Sequence, residues 1–257
     1  MRVGLFYLSI FFFSCMTSVD AGIIYVSATS GNDNYNGSSW VLAKRTIQAG
    51  IDAAVDGDTV LVTNGIYNTG GPYDPEGRVP PGQIYCKTRV VIDKPISVIS
   101  VNGPSNTCIV GQGPVGDNGI RCVWITSNAF LSGFTISNGF TSGLTFEYDE
   151  EDVVGGGFFA VGNDAIISNC AITCCQAADL GGGAYEGTLT HCTFSGNSAG
   201  SGGGTRGSTL YNCILHDNAA TGEGGGSRGG TLNNCILHNN SAFWGGGASF
   251  STLNNCV

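Results

Sequence analysis

Charge is scarce in this chain. Charged residues make up 11% of its 257 positions, against about 25% in an ordinary globular protein. Positive charge is the scarcer sign: ten Lys and Arg stand against nineteen Asp and Glu, a formal charge of -9. A surface so short of Lys and Arg has no basic face for phosphate, which argues against nucleic acid or anionic lipid as a partner. Only seven prolines are present and the glycines come in clumps, which excludes collagen, where glycine fills every third position. A coiled coil is excluded as well. The eleven cysteines fall short of the roughly 8 to 10% that marks a disulfide scaffold. Long apolar runs are missing too: the one from Leu5 to Met16 is nearer a dozen residues than the ~20 a membrane span needs.

What is present describes a folding, exported chain. Apolar residues are 42% of the sequence and 42 residues are Gly, roughly twice the usual ~7%. Arg2, the run Leu5 to Met16, and small residues at Val19 and Ala21 read as a secretory signal over 1–21, with the mature chain starting at Gly22. Cys15 as a lipoprotein anchor is the weaker reading, because Phe12-Phe13-Ser14 lacks the usual aliphatic residue.

Repeats decide the architecture. Triple glycines begin at Gly155, Gly181, Gly202, Gly224 and Gly245, spaced 26, 21, 22 and 21, and Cys170, Cys192, Cys213, Cys235 and Cys256 keep a beat of 21 or 22 residues. A unit this short cannot bury a face alone and must stack on its neighbours. Cys192 and Phe194 are two apart, as on one face of a strand, while Leu189 lies three before the cysteine. A bend restores both to the inside. Asn212, Asn234 and Asn255 precede their cysteines, and Asn tolerates the left-handed conformation of a sharp bend. Each unit is therefore expected to hold two short strands around an Asn corner, a further turn near Asn197, Asn218 or Asn240, and a Gly-rich stretch. That is one coil of a parallel β-solenoid.

The first half reads as less regular coils. Strands are expected over Thr59 to Val62, Ile96 to Val101, Cys108 to Val110, Cys122 to Ile125 and Phe130 to Ile136. Helical spacing of Ile47, Ile51 and Ala54 predicts a helix between Thr46 and Val55 that covers the open first coil. The resulting divisions are a cap and first coil over 22–67, irregular coils with insertions over 68–154, and regular repeats over 155–257. The chain stops at Val257 in mid-coil, so further coils are expected to follow in the intact protein.

Two resemblances follow from these residues. Gly182-Gly183-Ala184 with Phe194-Ser195-Gly196-Asn197 resembles the Gly-Gly-Ala and Phe-x-x-Asn signatures of polymorphic outer membrane protein repeats, over roughly Gly155 to Val257. The segment Tyr25 to Tyr67 resembles the cap of pectate-lyase-like right-handed β-helix proteins, with Tyr-Val-Ser, Ser-Ser-Trp, Gly-Asp-Thr-Val and Gly-Ile-Tyr. The resemblance implies an all-β, right-handed, single-stranded parallel β-helix with a short N-terminal cap helix. It also implies secretion, and action at a surface or on polysaccharide.

Residues one coil apart form columns ~4.8 Å in spacing. The cysteine column reads as buried thiols acting as small hydrophobes rather than as disulfides or a zinc site. Zinc ligands cluster locally, and only Cys170 and Cys174 approach that spacing. Tyr185, Arg206, Arg228 and Ser249 each follow a triple glycine by two residues and form an outward column. Stacked Arg residues repel without an anion, so an acidic glycan, Glu186 or Glu223 is a candidate partner, although the column reads first as a solvated polar face. His216 and His238 form a second pair, read as surface histidines without a fixed carboxylate nearby. A lyase of this fold would hold Ca²⁺ on clustered carboxylates. Asp149, Glu150, Glu151 and Asp152 supply four in a row, which reads first as an acidic loop. Asp164, Asp179 and Glu186 are the carboxylates that could meet across coils for a glycosidase. The weight of the sequence falls on a non-catalytic surface or secreted module for adhesion or glycan contact, needing no cofactor. The alternative is a lyase or glycosidase acting on an acidic polysaccharide, with Ca²⁺ if a lyase.

Overall fold

The computed structural model describes residues 21–69, 86–143 and 150–257. Residues 1–20, most of a first insertion over 68–85 and part of a second over 142–154 lie outside them. Among the described residues, strands pair in parallel throughout, into sheets of nine, seven and seven strands and a fourth of two. Successive strands of one sheet come from successive coils. In the coil of Cys192 the third sheet contributes Ala184–Tyr185, the first Thr188–Thr190, the second Thr193–Ser195 and the fourth Ser198–Ala199.

The coil has four sides, where two strands were expected. Its corners sit at left-handed residues five apart: Gly181, Glu186, His191 and Gly196, with φ of 65°, 58°, 55° and 65°. The next two coils repeat the pattern at Gly202, Gly207, Asn212 and Asp217, then at Gly224, Gly229, Asn234 and Asn239. The expected bend before the cysteine is present at Asn169, Asn212, Asn234 and Asn255, with φ of 47 to 54°. The strands of two residues were missed because so short a segment has no period to read. The change of beat from 21 to 22 falls between Asp217 and Gly224, on the fourth side. The other three sheets keep their register, as Leu189, Leu210, Leu232 and Leu253 pair in line.

The core runs down the axis. Leu189, Leu210 and Leu232 from the first sheet and Phe194 and Leu215 from the second are fully buried, with Cys192, Cys213 and Cys235 at the corner between them. Each such aliphatic or aromatic side chain contributes roughly 1.5 to 3 kcal/mol. Neighbouring glycine stretches bring the coils together closely. A Cβ on Gly183 would stand 2.6 Å from the Gly204 carbonyl oxygen, so only glycine fits there.

Asn197, Asn218 and Asn240 are not at the turn itself. The left-handed residue is the one before each, and Asn197 and Asn218 are fully buried. Asn197 donates from its backbone N–H and Nδ2 to Asn218 Oδ1 at 3.1 and 2.9 Å. Asn218 does the same to Asn240 Oδ1, and each Nδ2 also donates to a carbonyl of the coil before. The ladder satisfies donors that a dry interior would otherwise leave unpaired.

At the other end, Ile47–Ala53 is the expected helix, begun by Thr46 Oγ1 accepting from Ala49 N at 3.2 Å. Ile47 and Ile51 bury against Val26 and Val60 of the first two coils. Gly50 lets the helix sit down, since a Cβ there would meet Val26 at 2.6 Å.

Asn218→Ala should lower the unfolding free energy by about 3 kcal/mol, because two buried donors of Asn197 lose their acceptor. Exposed Asn254→Ala should stay within about 0.5 kcal/mol. Urea midpoints check both, and a shift below about 1 kcal/mol at Asn218 would remove the ladder from the account.

Candidate functional site

The outward column of the third sheet collects the side chains best suited to a ligand. Register places Val91, Trp124, Phe159, Tyr185, Arg206, Arg228 and Ser249 in one line. They face outward because their neighbours Phe158, Ala184, Thr205 and Ser227 point into the core. The line is graded, apolar and aromatic at one end, cationic further along.

Phe159 and Tyr185 stack with ring centroids 5.5 Å apart and planes within 6°. The Arg121 guanidinium lies 5.3 Å from the Phe159 centroid. Arg121 also donates from Nε and Nη2 to the carbonyls of Gly155 and Val154, at 2.9 and 2.8 Å. It thereby ties the end of the second insertion, with Val153 and Val154, over the aromatic end of the column. Beside the rings lies a recess of about 240 Å³ lined by Val154, Phe159, Tyr185 and Glu186 among others. Glu186 is fixed at its rim, its Oε2 accepting from Gly162 N at 3.0 Å.

The two arginines differ. Arg228 Nε donates to Glu223 Oε2 at 2.7 Å, and its guanidinium lies 5.7 Å from the Phe250 ring centroid. Arg206 has a buried Nε with no hydrogen-bond partner. One guanidinium is thus neutralised locally, and the other retains donor capacity. Trp124 and Phe159 are themselves buried, with Tyr185 and Arg121 against the Phe159 ring, so the part of the column open to a ligand is the half-buried Tyr185 ring and the half-buried Arg206, which can stack a sugar ring and grip a carboxylate.

Phe159 escaped the sequence reading, although it follows Gly157 by the same two residues that separate Tyr185 from Gly183. Trp124 and Arg121 carried no such signal, because their coil lacks the triple glycine. Asp164 and Glu186 share the corner between the third and first sheets in successive coils, while Asp179 lies at the far side of the third sheet.

No family model and no curated protein matches the sequence. Solved structures do resemble it. A pectate lyase, Pel9A, superposes with a TM-score of 0.54 at 14% identity, over 86% of this chain and 55% of its own. A rhamnogalacturonan lyase gives 0.49 at 16%, over 89% and 62%, and an Aspergillus niger pectin methylesterase 0.47 at 11%, over 93% and 76%. The chain is a pectate-lyase-like parallel β-helix. It is right-handed, with one short cap helix, and it spans about half the length of that pectate lyase.

Within this β-helix the acidic run does not form a described cation site. Asp149 lies outside the described residues, as do the side chains of Glu150 and Glu151. Asp152 is buried, its Oδ1 accepting from Cys86 N at 2.9 Å. Among the described residues no three His, Cys, Asp or Glu side chains converge on a point. Of the four carboxylates in the run, the one described is thus committed to a backbone N–H. No described helix is long and apolar enough to cross a membrane.

The ten described cysteines carry free thiols. Cys170, Cys192, Cys213 and Cys235 are buried in the column, with Cys256 partly covered. Cys174 is exposed and its neighbour Cys175 buried.

The histidine reading needs correction. His216 and His238 do stack, with centroids 5.1 Å apart. A carboxylate is present at the very next residue: His216 Nδ1 and Asp217 Oδ2 lie 2.7 Å apart. The left-handed backbone at Asp217, φ 55°, turns the two side chains to the same side. This hydrogen bond holds the exposed Asp217 carboxyl below its ordinary value. In His216→Ala the Asp217 carboxyl should titrate at a higher pH, followed by its carboxyl carbon in an NMR titration. An unchanged titration would show that the imidazole is not what holds it down.

Proposed function

We propose that the chain is an exported, non-catalytic β-helix module that contacts an acidic polysaccharide at a cell surface or in the surrounding medium. The observation that carries the reading is the column Phe159, Tyr185, Arg206 and Arg228, in register on one outward face. Coils advance ~4.8 Å, so the column offers a stacking platform and then cationic groups at close, regular steps. The half-buried Arg206 guanidinium is the group that grips a sugar carboxylate, and the half-buried Tyr185, backed by buried Phe159, is the platform for a ring. The pectate lyase of like fold acts, by its name, on an acidic polysaccharide, which supports the same ligand class here. The basic start and apolar run ahead of Gly22 support export.

Binding of the purified chain to pectate and alginate, by calorimetry and by release of reducing ends with and without Ca²⁺, tests this. Expected are binding without turnover and at least a tenfold loss of affinity in Arg206→Ala with Arg228→Ala. Affinity should also fall with salt, since one partner is anionic. Turnover that requires Ca²⁺ and vanishes when Asp149 to Asp152 are replaced would make the protein a lyase. Silence with every acidic glycan would remove the ligand class.

A further inference from the structure

The cysteine column repeats one backbone contact in coil after coil. The thiols of Cys192, Cys213 and Cys256 donate to the carbonyl two residues back, those of Thr190, Tyr211 and Asn254, at 3.4, 3.3 and 3.4 Å. Each also points to a carbonyl of the coil before, those of Ile167, Leu189 and Leu232, at 3.7, 3.6 and 3.4 Å. Cys170 and Cys235 make the first of these contacts, to Ser168 and Asn233 at 3.2 and 3.3 Å. The first contact, common to all five, points every thiol the same way from its strand, so the sulfurs follow one another along the column at about the coil spacing, ~4.8 Å.

That spacing discriminates between two ways of joining thiols. A disulfide needs Cβ atoms roughly 3.5 to 4.5 Å apart, and side chains leaving parallel strands in the same direction keep theirs at about 4.8 Å. A metal ion placed in line between two thiolates needs twice a metal–sulfur bond, ~4.6 Å if the zinc–sulfur length of about 2.3 Å is the guide. The match is to the ion. Zinc is a poor occupant because it takes four tetrahedral ligands, and the column presents two to any one gap. Soft monovalent ions such as Cu(I) select thiolates and accept two.

We infer that the column is a site for soft monovalent d10 cations, one between Cys170 and Cys192 and one between Cys213 and Cys235, each in linear two-thiolate coordination. A thiolate sulfur bonded along the column on one side cannot bind a second ion directly opposite, so alternate gaps fill. Each binding step joins one ion to two thiols and releases two protons to solvent, with no change of oxidation state. The product carries one negative charge. In each pair one sulfur already accepts a backbone N–H that offsets it: Phe134 N donates to Cys170 Sγ and Cys192 N to Cys213 Sγ, both at 3.5 Å.

The test is titration of the reduced full-length chain with Cu(I) carried by bicinchoninate under nitrogen, counting ions from loss of the carrier's colour. Cys192→Ala should bind one ion fewer per chain than the unsubstituted protein, and Cys192→Ala with Cys235→Ala two fewer, since no adjacent thiols remain in the column. Any ion taken by Cys122 and Cys175 is common to all three proteins and cancels. X-ray absorption of the loaded, unsubstituted chain should show two sulfur neighbours and no nitrogen or oxygen, which decides the matter if a variant does not fold. Equal counts in all three proteins, a shell containing nitrogen or oxygen, or loss of the far-ultraviolet β signal on loading would overturn the assignment.

Discussion

Main-chain hydrogen bonds from each coil to the next hold every residue about 4.8 Å from its counterpart, and little else in this molecule is free once that spacing is imposed. A coil of 21 residues cannot drift, since one slipped residue would turn Leu189 outward and Thr190 inward along the whole first sheet. Three sheets therefore keep strict register, and the variation in length goes to the fourth side, where only two short strands pair. The same demand sets the composition. Gly183 lies against the carbonyl of Gly204, and no larger residue could keep the coils at hydrogen-bonding distance there.

Corners are the second consequence. A four-sided coil turns sharply four times, and each turn places a residue in the left-handed region, which disfavours most side chains by about 1 to 2 kcal/mol. Glycine and asparagine hold most of these corners. Glu186, His191 and Phe250 hold others, where the side chain is kept for a contact. Glu186 accepts from Gly162 N, and the Phe250 ring meets the Arg228 guanidinium. Strain at a corner and function on the adjacent face thus meet in single residues. Directly after the corner that begins the fourth side, the buried Asn197–Asn218–Asn240 ladder satisfies donors that the turn removes from any sheet.

Much of this was legible from spacing alone. The beat of Cys170 to Cys256, the pairing of Cys192 with Phe194 two residues on, and the bend before each cysteine define a stack of parallel coils without any knowledge of coordinates. The helix over Ile47–Ala53 was equally plain from its period. Side chains with no repeating partner were not. The strand Lys87–Ile92 follows an insertion and belongs to no regular unit. Asn197 looked like a turn residue because Asn is common in turns, and its burial depends on an acceptor 21 residues away. The carboxylate of Asp217 was overlooked beside His216, because neighbours in a strand ordinarily face opposite ways. Only a left-handed corner between them brings both to one side.

The outer and inner faces of the coil answer to one rule with opposite results. Repetition at ~4.8 Å multiplies whatever a column carries, so a column of like charges accumulates repulsion unless something intervenes. On the third sheet Glu223 neutralises Arg228, which leaves Arg206 as the one arginine of that column whose Nε has no partner. Inside, repetition of a neutral thiol costs nothing until a proton leaves. A single thiolate in that dry column would be expensive, whereas two that share one cation remove most of the charge from the interior at the moment it forms. The spacing that forbids neighbouring cysteines from bonding to each other is the spacing at which they can hold an ion between them.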